Sequence, residues 1–212
     1  MKKSLFGALL LAAPLTLNAG QLNVEYSKFY SHLKKIDKEE TANLQFSFGF
    51  IHNVRKELCQ IESAMLVTQK KDIKVEVNAE QRFTLPIEKA LKLANALVAV
   101  DIVEPNNQCD MSVQLETVPA LLSQTQTPDN LRLILEQYDA FFDTMGSFLS
   151  FLMPGVEGLT IWLPENQSYD HLNAEGVSVE GSRIMLSKDW IEGNKENFVL
   201  PAKPIRITSV VD

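Results

Sequence analysis

The chain has 212 residues, of which 45% are hydrophobic and 22% charged, and a formal net charge of −7. This is too apolar for disorder and long enough for one sizeable core or two small ones. The negative balance, with Lys and Arg adjacent only in the scattered doublets Lys2-Lys3, Lys34-Lys35, Arg55-Lys56 and Lys70-Lys71, argues against nucleic acid and anionic membrane as partners.

The N-terminus reads as a cleavable export signal over residues 1–19. Lys2 and Lys3 give a positive start, Leu5 to Leu17 is apolar apart from Thr16, and Ala19 precedes a cut before Gly20, with Gly20|Gln21 as the alternative. The apolar run is about 13 residues, short of the roughly 20 that a spanning helix needs. No cysteine lies near the cut to carry a lipid. The expectation is therefore a periplasmic protein, with extracellular release as the alternative, and no membrane anchor after cleavage.

Residues 23–38 carry Tyr26, Phe29, Tyr30, Leu33 and Ile36 at helical spacing, which predicts a helix. Leu44, Phe46, Phe48 and Phe50 alternate with polar or small residues, the mark of a half-buried strand. Further strands are expected at Cys59–Thr68, at Ile73 to Val77 and at Phe83 to Leu85. Pro86 opens a predicted helix whose buried face is Ile87, Ala90, Leu91, Ala94 and Leu97. Strands follow at Val98 to Val103 and Cys109 to Val118.

Ser123 to Thr127 is the best linker candidate, so an internal division near 120–128 is the alternative to a single domain over 20–212. Thr127-Pro128 then caps the strongest predicted helix, which runs to about Met153. Leu159 to Leu163, parts of Val177 to Leu186, Phe198 to Leu200 and Ile205 to Val211 complete the strands. This order predicts an α+β fold, a mainly antiparallel sheet packed on two or three helices, including one long apolar helix.

Cys59 and Cys109 are the only cysteines. In an oxidising compartment such a pair is most simply a disulfide. Each alternates with apolar residues, which places both on the inward faces of neighbouring strands. The rival, a redox or metal site, lacks a CxxC motif and an adjacent histidine.

Motifs for catalysis are missing. There is no HExxH, no GxSxG and no phosphate-cradling glycine loop. No catalytic residue, metal site or cofactor is assigned. The most suggestive feature is the apolar stripe Tyr138, Phe141, Phe142, Met145, Phe148, Leu149 and Leu152. It is read either as core or as a surface for an envelope protein or an apolar ligand. The leading expectation is a non-catalytic binding or envelope-associated module. The alternative is a small periplasmic hydrolase assembled from distant residues, with Asp110, His52 and His171 as the first to test. A third reading is an assembly module that uses exposed sheet edges.

Taken together, Glu25-Tyr26-Ser27 with Phe29-Tyr30, Cys59, Phe83-x-Leu85-Pro86, Cys109-Asp110-x-Ser112-x-Gln114 and Leu200-Pro201-x-x-Pro204-Ile205-Arg206-Ile207 form a pattern. It resembles an exported gammaproteobacterial family, domain of unknown function 2987. The resemblance implies a periplasmic setting and carries over no site residue.

Overall fold

The computed structural model describes residues 20–145, 155–165 and 169–211. It is a mixed α/β structure in which every strand ladder among the described residues is antiparallel. The first sheet has the order β1-β5-β3-β4, from β1 (Gly20–Glu25), β5 (Leu97–Ile102), β3 (Ile61–Val67) and β4 (Asp72–Val75). A long antiparallel pair, β2 (Leu44–His52) with β6 (Cys109–Thr117), stands beside it. The second large sheet has the order β12-β8-β10-β9, from β12 (Arg206–Val211), β8 (Val156–Trp162), β10 (Arg183–Ser187) and β9 (Val177–Glu180). A short pair joins β7 (Thr125–Gln126) to β11 (Phe198–Val199).

The predicted 23–38 helix divides. Residues Gly20–Glu25 form β1, because Leu22 and Val24 pair with Val100 and Val98 of β5 and alternate with exposed Gln21, Asn23 and Glu25. Only Tyr26–Leu33 is helical (α1), burying Tyr26, Phe29 and Leu33. Phe29 meets Phe48 edge-on, with ring centroids 4.9 Å apart. Phe83, in turn, exchanges backbone hydrogen bonds of 2.8 Å with Phe48, so the α1 face, β2 and the segment after β4 share one aromatic core. Each fully buried ring contributes about 1.5–3 kcal/mol relative to exposure.

The helix predicted from Pro86 shrinks to α2 (Lys89–Leu93) and buries none of its residues. Leu93 is 72% exposed, and Leu97, expected on the helix face, belongs to β5 instead. A fourth helix, α4 (Lys188–Gly193), was not expected; Ser187 Oγ caps it by accepting from Trp190 N.

The strongest predicted helix is present as α3 (Pro128–Met145). Thr127 Oγ1 caps it by accepting from Asn130 N at 3.2 Å. It is amphipathic rather than apolar: Leu131, Ile134, Leu135, Tyr138 and Phe141 are buried, whereas Leu133, Glu136, Asp143 and Met145 are exposed. The expected long apolar helix is therefore corrected, because a helix lying on a sheet needs only one apolar stripe. Its expected continuation through Phe148, Leu149 and Leu152 lies outside the described residues. Phe141 reaches Phe46 of β2 at 6.0 Å, and the Tyr138 hydroxyl donates to Ile207 O of β12 at 2.9 Å. Thus α3 touches both the β2–β6 pair and the second sheet. No helix among the described residues is long and apolar enough to cross a membrane.

Cys59 and Cys109 are bonded to each other across a sequence separation of 50. Cys109 lies on a strand as expected, whereas Cys59 does not. Cys59 precedes β3 and donates its N–H to Phe50 O at 2.8 Å, while Cys109 opens β6 opposite His52. The bond therefore ties the end of the β2–β6 pair to the lead-in of the first sheet. Glu104 lies beside it, and its carboxylate accepts from Arg55 Nη2 and Gln60 N.

Candidate functional site

The polar positions of β2 and β6 decide where the site lies. Gln45, Ser47 and Gly49 of β2 pair with Glu116, Gln114 and Ser112 of β6, so these six share the face opposite the phenylalanines. In the sequence this face looks solvated. In the structure Ser47 is 1% exposed and Glu116 5% exposed. A turn over residues 78–82 and the start of β12 account for that burial.

The turn is built to project two charges together. Asn78 Oδ1 accepts from the backbone N–H groups of Glu80 and Arg82, and Asn78 N donates to Arg82 O at 2.8 Å. Gln81 adopts a left-handed φ of 57°, and its side-chain Oε1 accepts from Ile61 N. The turn can close on β2 because position 49 is glycine. A Cβ there would lie 2.9 Å from Gln81 O and 3.4 Å from Arg82 Cγ.

Arg82 is 8% exposed and donates from Nη2 to Ser112 Oγ at 3.3 Å. Glu80 pairs with Nη1 of Arg206 on β12. Glu116 Oε1 accepts from Gln45 Nε2 at 2.9 Å. Burial lowers the Arg82 pKa, and the nearby Arg206 charge lowers it further against the opposing pull of Glu116 and Glu80. Burial raises the Glu116 pKa; the Gln45 hydrogen bond offsets part of this.

On the second sheet the seam continues as a row across three strands. Trp162 of β8 stands directly between Arg183 of β10 and Arg206 of β12. The guanidinium carbons lie 5.5 Å and 4.0 Å from its ring centroid, within cation–π range. Trp162 Nε1 donates to Thr208 Oγ1 at 3.0 Å, and Arg183 pairs with Glu180 at 2.9 Å.

Four buried polar atoms in this region make no hydrogen bond among the described residues: Arg82 Nε, Arg82 Nη1, Arg206 Nε and Ser47 Oγ. A buried polar group left unpaired costs about 1–3 kcal/mol, and a charged one more. Acceptor oxygens, from ordered water or from a ligand, would satisfy the guanidinium donors among them.

Residues 18–163 match a family described as a protein of unknown function, DUF2987. The chain belongs to that family. No curated protein and no solved structure matches it. Within the stretch that matches DUF2987 lie Glu80, Arg82, Glu116 and Trp162, whereas Arg183 and Arg206 come from strands beyond it.

The residues singled out from the sequence fall elsewhere. His52 is buried and closes a turn: Nδ1 accepts from Val54 N and Arg55 N, and Nε2 contacts Gln108 Oε1 at 3.1 Å. Asp110 is the next residue along from Cys109, the cross-strand partner of His52, and is exposed; His171 lies in a short 3-10 turn at residues 170–172 and is also exposed. No hydrogen bond among the described residues joins any two of the three. Of the Phe-rich stripe, Tyr138 and Phe141 are buried, Phe142 is partly buried against Phe141, and Met145 is exposed. Phe148, Leu149 and Leu152 lie outside the described residues.

Arg82, Glu116 and Arg206 were not flagged because each sits alone in sequence. The one signal was the polar face of β2, where Gln45, Ser47 and Gly49 offer no charge that water would favour.

Proposed function

We propose that this DUF2987 chain is a non-catalytic binding module of the bacterial cell envelope, exported through residues 1–19 and acting as one α+β domain over residues 20–212. The observation that carries the binding reading is the set of unpartnered guanidinium N–H groups on Arg82 and Arg206, buried at the seam between the β2–β6 pair and the second sheet. The periplasmic setting is supported by the Lys2-Lys3 start, the apolar run before Ala19 and a disulfide that belongs in an oxidising compartment. The single-domain reading is supported by a core cluster that runs from Tyr26 to Ile207.

The test is native mass spectrometry on the chain recovered from the periplasm. The wild type is expected to begin at Gly20 or Gln21 and to carry a small-molecule adduct. Arg82→Gln is expected to lose the adduct while retaining the disulfide and the wild-type circular dichroism. A chain that shows no adduct, and no thermal shift with any of a panel of small anions, sugars and peptides, would refute the binding reading. Recovery only from the cytoplasm would refute the export reading.

A further inference from the structure

The binding reading leaves the chemistry of the occupant open, and the charges at the seam narrow it. Four ionisable side chains meet there: Arg82 and Glu80 from the turn, Glu116 from β6 and Arg206 from β12. Tyr138 of α3 feels the Glu116 charge from below. Glu80 is committed to Arg206 Nη1, and Glu116 to the Gln45 amide. Arg82 Nε, Arg82 Nη1 and Arg206 Nε have no acceptor among the described residues.

Guanidinium N–H groups donate and never accept, so an occupant must bring acceptor oxygens, and an ionised oxyanion makes the strongest such bonds. Two arginines and two glutamates sum to zero formal charge. A dianion would leave a buried seam at −2, which desolvation strongly penalises. A monoanion leaves −1, and zero when Glu116 holds a proton. The planar face of Trp162, already stacked on Arg206, adds apolar surface at the middle of the row.

We propose that the seam is a binding site for a carboxylate monoanion, held by the free N–H groups of Arg82 and Arg206. This inference rests on the binding reading above and specifies its ligand class. Binding of the anion strengthens when Glu116 is protonated, because the like charge facing the ligand is removed. The raised Glu116 pKa brings that protonation closer to the working range.

The probes are sodium formate and sodium sulfate, titrated into the oxidised, nitrogen-15-labelled chain. The readout is the Nε–H resonances of Arg82 and Arg206. Formate is expected to shift both, with binding about twofold or more tighter at about pH 4.5, where a glutamate with a raised pKa is mostly protonated, than at about pH 7.5. Sulfate at matched ionic strength is expected to leave them in place. Glu116→Gln should bind formate with the low-pH affinity at both pH values, and Arg82→Lys should weaken formate throughout. Sulfate binding as tight as formate would overturn the monoanion assignment while leaving the seam an anion site. A pH dependence that survives in Glu116→Gln would overturn the role of Glu116. Resonances that move with neither anion would overturn the carboxylate site, and the adduct measurement would then still decide the binding reading.

Discussion

Replacing Cys59 and Cys109 together with alanine should cost about 4 kcal/mol, the chain-entropy value for releasing a closed loop with a sequence separation of 50. The magnitude has a structural meaning, because the loop encloses β3, β4, the 78–82 turn, α2 and β5. Breaking the bond frees nearly the whole first sheet, and the turn that carries Arg82, from their covalent tie to β6. For a chain of this size the melting temperature should fall by about 8–16 °C. The assay is urea unfolding followed by far-UV circular dichroism, on the variant and on wild type with and without reductant. Reduced wild type isolates the cross-link, since alanine also leaves a small void where the buried Cys59 sulfur stood. A loss below about 1 kcal/mol in the reduced wild type would refute the reasoning. It would mean that the enclosed segment is already restricted in the unfolded ensemble.

Gly49→Ala should destabilise the chain by about 1–3 kcal/mol in the same urea assay, because the new Cβ would press on the backbone oxygen of Gln81. It should also weaken anion binding by lifting the turn from β2; an unchanged midpoint would show that the turn yields freely. Glu116→Gln tests linkage. The folded pKa of Glu116 is raised above its unfolded value, so its stabilising contribution is complete below the unfolded pKa and is lost as pH rises through the folded one. The variant should therefore gain stability relative to wild type at about pH 7.5 and lose that advantage toward about pH 4. An equal difference at both pH values would remove the linkage.

The sequence was most legible where period and burial agreed. Leu44, Phe46, Phe48 and Phe50 alternate because one face of β2 meets α1 and α3, and the helix after Thr127 was readable from its cap and stripe. It failed where tertiary pairing overrode local pattern. Leu22 and Val24 extend a helical stripe in sequence, yet β5 recruits them as an edge strand. Ile87, Leu91 and Leu97 suggest one buried helix face, but the sheet takes Leu97 and leaves α2 on the surface. Helix α4 was too short to show a period, and only its Ser187 cap marked it. The disulfide was legible from the lone cysteine pair and the expectation of export; its position between sheets was not, because that depends on the turn after β2. The seam was hidden for a related reason. Alternation shows that Gln45, Ser47 and Gly49 avoid the apolar core, but it does not distinguish water from a second polar layer supplied by Arg82 and Arg206.

Glu80 and Arg206 are 126 positions apart, so their pairing is among the longest-range contacts in the chain. Contacts of that span form late, since the entropy of closing the intervening loop must be met before the contact returns any energy. A chain threaded N-terminus first presents β2, the 78–82 turn and β6 well before β12 emerges. During that interval the polar face of the β2–β6 pair, with Arg82 over it, is open to water and to any passing anion. Arrival of the last strand shuts it. The seam is thus a joint that closes late: Arg82 is enclosed only when the C-terminal strand docks.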